Sequence, residues 1–441
     1  MQNRESSTKE KPVIPSINRW VVLFFFIPFC VLSQQPKGTT IPDGTEGEQL
    51  ETFDADSVPH HWRDKRWRLF PGRFSTLKIG GGFLYEFAGY TQDRVSRQQL
   101  DSIGTALEPA FDVRDFRITA SGQFKTKRLF TWKAGFMYNG DTKEWLVRET
   151  GVMIGVPELW GKFFIGRTKE GFSMNKVMVG YAGWTMERQM AIDVIPILAD
   201  GIKWLGYLPE SRIFWNAGVY GDFLSEGQSF STYRWQTAFR VGWLPVYDAG
   251  NQSVLHVGIS YRYGEPDEGT IRVRSRPEAN PATYFVDTGV FSSDYSSQWG
   301  GEAYYSAGPW MAGSEVYAHH FSSQEADDPV FYGGDAVVSY MITGETRPYN
   351  TATAILGFVP VKRPVFKGGP GAWEVLCRFS TYDLTTGTLE GGKFWRITPM
   401  VNWYLSKDIR LELAYGYGVL DRFGLKGTTQ FFQTRIQLTL L

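Results

Sequence analysis

Over the last eleven residues, Phe432, Thr434, Ile436, Leu438 and Leu440 alternate with Gln433, Arg435, Gln437 and Thr439. A strand with one apolar and one polar face separates oil from water. The same period recurs upstream about every 10 to 25 residues, in segments long enough to cross a membrane at a tilt. Leu411, Leu413, Tyr415 and Tyr417 alternate with Arg410, Glu412, Ala414 and Gly416, and Trp395, Ile397, Val401 and Trp403 with Arg396, Thr398, Met400 and Asn402. The pattern predicts an all-β protein, a transmembrane antiparallel β-barrel with a polar lumen.

Alternation and turn residues predict strands near 77–91, 111–124, 129–139, 144–156, 159–168, 199–208, 211–223, 232–244, 253–263, 298–307, 310–321, 331–343, 371–383, 393–405, 408–418 and 430–440. That is about sixteen, an even number as bacterial barrels require. The connections support the count. Tight ones at 125–128, 156–158, 209–210, 308–309 and 406–407 alternate with longer ones near 92–110, 169–198, 264–297 and 419–429. Short periplasmic turns and long outer loops give this parity, with both ends periplasmic. The stretch 344–371 breaks the rule: either it packs under the barrel or a further hairpin lies within it.

Composition agrees with a barrel. Aromatic residues make up 16% of the 441 residues and the mean hydropathy is −0.26, so no stretch beyond the N-terminus is apolar enough for a spanning helix. Sixteen Trp and 22 Tyr suit aromatic belts at the two membrane interfaces. An aromatic-rich soluble sandwich or propeller is the alternative. Arg4, Lys9, Lys11 and Arg19, the apolar run 21–32 and polar Ser33 predict a signal peptide over residues 1–33. Cys30 suggests a lipoprotein, but Phe29 stands where lipid attachment needs a small residue. Removing four basic and two acidic residues from 46 of each leaves 42 against 44, so any charge selectivity must be local.

Residues 34–75 form a polar periplasmic leader, in which His60 and His61 are a weak metal signal without further ligands, and residues 76–441 form the barrel. Cys377 shares the alternating face of Trp373, Val375 and Phe379, so it is expected to face lipid. No Gly-x-Ser-x-Gly or HExxH motif occurs, and a hydrolase built on His256 and Ser260 is the enzymatic alternative. No metal, cofactor or nucleic-acid partner is expected.

Several segments resemble the phosphate-selective porin O and P family of Gram-negative outer membranes. They are Met341 to Tyr349 (MITGETRPY), Gly371 to Ser380 (GAWEVLCRFS), Asn402 to Leu405 (NWYL), Phe164 to Ser173 (FIGRTKEGFS) and Met186-Glu187-Arg188. The resemblance implies a sixteen-stranded barrel, usually a homotrimer, whose third loop folds inward and whose lumen carries Arg and Lys. Two departures stand out. Where the family often shows an Arg-Arg-x-x-Arg-like run, this chain has Arg114-Asp115-Phe116-Arg117, which sets a carboxylate in the basic patch. The last residue is Leu441 where an aromatic is common.

With the apolar faces turned to lipid, the pleat turns the other faces inward. Tyr233 and Trp235 would face out, and Arg234, Gln236, Arg240, Lys133, Arg262, Arg378, Arg396, Arg410 and Arg435 would face in, with chiefly Glu374 and Glu412 as acids. The expected anion-binding and pore-lining set is Arg114, Arg117, Lys133, Arg167, Lys169, Arg188, Arg234, Arg240, Arg262, Arg378, Arg396 and Arg435. Lys176 joins Lys169 and Arg188 on the third loop. Arg272, Arg274 and Arg276 are the basic residues of the fifth loop, suited to steering anions or to bridging lipopolysaccharide phosphates. Such a pore passes small anions such as phosphate or polyphosphate down their gradient. A low-selectivity porin for small hydrophilic solutes, or a structural or adhesive barrel, is the alternative.

Overall fold

The computed structural model describes residues 69–140, 143–224 and 232–440. The signal-peptide reading, the His60-His61 pair, most of the leader and Leu441 lie outside them. Sixteen antiparallel strands form the wall: β1 (Thr76–Gln92), β2 (Ala110–Gln123), β3 (Phe130–Asn139), β4 (Glu144–Val147 and Thr150–Val156), β5 (Gly161–Thr168), β6 (Ala199–Leu208), β7 (Ile213–Gly221) and β8 (Tyr233–Asp248). They continue as β9 (Ser253–Pro266), β10 (Tyr295–Ala307), β11 (Trp310–Ser322), β12 (Val330–Met341), β13 (Ala372–Thr386), β14 (Leu389–Tyr404), β15 (Ile409–Arg422) and β16 (Leu425–Leu440). Each pairs with its sequence neighbour, and β16 returns to β1 from Leu440 opposite Gly81 to Thr429 opposite Gln92. Closure leaves no edge strand in the hydrocarbon, where an unpaired backbone amide has no water to bond.

Alternation sets the two faces as the sequence predicts. Leu413, Ile436, Leu438, Phe379 and Val375 are exposed on the outer face, whereas Glu412, Arg435, Gln437, Arg378 and Glu374 are buried inside. Cys377 is exposed on the same outer face. The connection at 419–429, expected to be a long outer loop, is instead a two-residue turn: Phe423 and Gly424 both have positive φ, the backbone of a type I′ hairpin joining β15 to β16.

The outer connections are structured. A helix, Arg94–Ser102, capped by Asp93 accepting from the Ser96 amide, packs against β16. The fifth loop carries a hairpin, Thr270–Ser275 with Val286–Ser292. The stretch 342–371 is not a missing wall hairpin, because β12 and β13 pair directly, with Val337 opposite Arg378. Nor does it only lie beneath the barrel. Its two-residue ladder, Tyr349–Asn350 with Ile355–Leu356, brings Tyr349 to His256 (2.7 Å) and the Ala354 carbonyl to Arg240 (2.9 Å), both on the inner wall.

Candidate functional site

The third loop, residues 169–198, is almost wholly buried against inward-facing side chains. Arg378 donates to the Glu187 carbonyl (2.8 Å), Arg410 to that of Gly183, Asn402 to that of Trp184 (2.8 Å) and Arg435 to that of Met186. In return the Met174 and Asn175 amides donate to Glu302 (2.6 Å) and Glu315 (2.8 Å). Tyr181 lies against β1 at Gly82, where any Cβ would collide with its ring. Met190, Ile192 and Ile195 of this loop join Ile271, Val273 and Phe285 of the fifth in one apolar cluster with Phe394 and Phe431 of the wall.

This packing divides the interior. On the β8 to β16 side the wall arginines point inward as expected, but they are buried in ion pairs rather than solvated. Arg240 meets Glu302 at 2.8 Å, Arg262 meets Glu170 at 3.2 Å, Arg378 meets Glu278 at 2.5 Å and Arg410 meets Glu412 at 3.1 Å. Arg435 is held by Glu86 and Glu187. Arg396 donates to the Pro277 carbonyl (2.6 Å) and lies 4.4 Å from the Phe431 ring centre. The expectation of few inward acids is corrected. Glu86, Asp115, Glu302, Glu315 and Asp335 also face in, and Glu302, Glu315 and Asp335 stand opposite one another across β10, β11 and β12.

Two predicted residues leave the lumen. A register shift between Tyr233 and Trp235 buries Tyr233 and leaves Arg234 65% exposed beside Glu265. A bulge reverses the side on which a residue projects, which a strict two-residue period cannot register. Arg167 falls on the face of Phe163 and Ile165 and pairs with Asp200, opposite it on β6, at 2.8 Å. Arg272 pairs with Asp287 (2.6 Å), while Arg274 and Arg276 both lie over Tyr284, at 4.1 and 5.2 Å from its ring centre.

Across β2 to β6 the basic residues are only partly buried. Three residues apart, Arg114 and Arg117 would project oppositely from a regular strand. A register shift beside Asp115 turns Arg114, Asp115 and Arg117 to the same side. Arg114 forms a bidentate pair with Glu187 (2.9 and 3.0 Å). Arg117 chelates Asp115 and lies 4.8 Å from the Tyr181 ring centre. Deeper, Lys133 and Lys203 flank the Phe164 ring at 5.5 and 5.4 Å, and Lys133 contacts Glu149 at 3.2 Å. Arg148 and Glu149 stand in the break of β4, and the Arg148 Nε has no partner among the described residues. From the third loop, Arg188 and Lys169 both donate to the Met178 carbonyl.

Seven cations, Arg114, Arg117, Lys133, Arg148, Lys169, Arg188 and Lys203, thus gather around three carboxylates, Asp115, Glu149 and Glu187. Their mutual repulsion is visible on the loop. Burial and then the like charges of Arg117 and Arg114 press Arg188 down to about 10. Burial and then Arg188 hold Lys169 well below the usual amine range. Burial pushes Glu187 up, but Arg114 and Arg435 outweigh it and hold the carboxyl below its usual range. The sequence did not single out Arg148 and Lys203; inward parity on the sixth predicted strand was the available signal for Lys203, whereas Arg148 stands in a break of the fourth.

A closed sixteen-stranded antiparallel barrel with an apolar outer face and a charged interior is the architecture of an outer-membrane porin. The chain belongs to the family of phosphate-selective porin O and P, whose model matches residues 81–439. It is a β-barrel protein of the Gram-negative outer membrane. Porin O of Pseudomonas aeruginosa is 28% identical over 232 residues, 45% of this chain and 50% of that protein. A Caulobacter vibrioides protein is 29% identical over 178 residues, 39% of this chain and 35% of that one. The chain therefore matches half or less of the length of these relatives. Among solved structures, OmpT of Vibrio cholerae aligns with a TM-score of 0.51 at 12% identity, covering 84% of this chain and 99% of that one. The channel DcaP of Acinetobacter baumannii aligns at 0.52 and 8% identity, covering 84% and 99%.

Proposed function

We propose that this protein is a passive channel for small anions, phosphate and polyphosphate among them, and that the anions pass along β2 to β6 rather than down the centre of the barrel. The observation that carries this reading is the surplus of cations over carboxylates in the one partly exposed tract of the described interior. Guanidinium and ammonium donors replace water lost by an anion in a narrow passage, and Arg matches the paired oxygens of phosphate. Contacts that remain partly hydrated keep binding weak enough for release.

In a planar bilayer at neutral pH, phosphate is expected to block chloride current at a lower concentration than sulfate, and Arg188→Ala to weaken that block. Equal block by both anions with no effect of the variant would favour a general porin. Asp115, Glu149 and Glu187 within the cluster are the observation on that side. Export by the signal peptide over residues 1–33 and assembly as a homotrimer belong to the same proposal. Support for the trimer comes from the lower wall of β3 to β7, whose unbroken strands span 8 to 10 residues against 12 to 17 elsewhere, beside exposed Phe111, Phe116, Phe136 and Trp145.

A further inference from the structure

The cation cluster already holds an anion, and it is part of the chain. Glu149 sits where β4 is interrupted between Val147 and Thr150, so its side chain is set by an irregularity of the wall rather than by the pleat. Its carboxylate contacts the Lys133 ammonium at 3.2 Å and retains 33% exposure. The charges of Lys133, Lys169, Arg148 and Lys203 all bear on it. The other carboxylates of the interior differ. The side chains of Glu302, Glu374 and Glu412 are buried to 1% or less in ion pairs with Arg240, Arg347 and Arg410. Asp115 is chelated by Arg117 and also accepts from Tyr181 at 3.2 Å. Glu149 alone among these offers a hydrated carboxylate to four cations while making one contact.

We propose that Glu149 is a tethered ligand of the anion path: it occupies the cation site between anions, yields it to each passing ion, and marks the site as one that accepts small carboxylates as well as phosphate. This rests on the reading of the protein as an anion channel. A partly exposed ion pair contributes little, so a mobile anion displaces the carboxylate at small cost and is itself displaced in turn. The resident carboxylate also spares the empty site the repulsion of four like charges. The two effects together favour fast exchange over tight capture.

Glu149→Gln and Glu149→Asp separate this role from that of a distant charge. With Gln, the phosphate and succinate concentrations that half-block chloride current are expected to fall roughly tenfold, as a competing charge-assisted contact is removed. Asp keeps the charge but shortens the reach to Lys133, so block in that variant should approach that of Gln. A Glu149→Asp channel identical to the native one, with only Gln altered, would show that the carboxylate acts through its field and would overturn the tethered-ligand role. Unchanged or weaker block in Glu149→Gln overturns it too. Absence of any block in the native channel would instead defeat the anion reading itself. Native-like gel mobility before heating verifies that each variant is folded.

Discussion

Lys169 and Arg188 share one acceptor, the Met178 carbonyl, so two cations that repel each other are held at one point by the fold of the third loop. Burial, followed by that repulsion, makes the charged form of Lys169 costly. An anion in the path favours the protonated amine, so proton uptake and anion passage reinforce each other. The chloride-to-potassium permeability ratio is therefore expected to rise as pH falls below the ordinary range of an amine. Chloride does not titrate, so the change belongs to the protein. Lys169→Met should flatten the curve, and a ratio independent of pH in the native channel would contradict the assignment. Arg114, Arg117, Lys133, Lys169 and Arg188, expected from the sequence to line the pore, come together in the cluster, but Arg234 does not, because a register shift beside it reverses its face.

Among the elements, β16 closes the barrel and also anchors its interior. Arg435 faces Glu86 across the β1–β16 seam and reaches Glu187 of the third loop. Replacing it by Met leaves Glu86 buried without its cation, a loss of about 3–5 kcal/mol when one partner of a buried pair is removed. Thermal unfolding followed by heat-modified gel mobility should shift accordingly, and adding Glu86→Gln should restore part of the loss. An unchanged midpoint would show that the seam does not depend on this pair. All sixteen strands were legible from two-residue alternation, because lipid on one side imposes the period along every strand, but β15 and β16 extend to Arg422 and from Leu425 through what was expected to be a loop. The outer helix, the fifth-loop hairpin and the inward turn of 342–371 were not. Their apolar residues pack against the lumen, and no period distinguishes such segments from ordinary loops.

For the whole molecule, charge sorting is the main outcome. The chain is neutral overall, and its interior is divided between buried pairs on the β8 to β16 side and a surplus of cations along β2 to β6. Alternation shows which residues face inward but not which carboxylates a folded loop will bring to them. Glu170, Glu187 and Glu278 all arrive from loops, so the sequence overstated how basic the lumen is. It also counted Arg240, Arg262, Arg378 and Arg396 as pore lining, although each is almost fully buried. Such residues fasten loops to the wall, and the field felt by a passing ion comes from the hydrated cluster.

The reversal potential in a potassium chloride gradient tests this division directly, measured for the native protein, for Arg148→Gln combined with Lys203→Gln, and for Arg396→Gln. The native channel and Arg396→Gln should both be anion-selective, and the double variant should move toward zero selectivity. A native channel that prefers potassium, or selectivity that disappears with Arg396→Gln and survives in the double variant, would contradict the account.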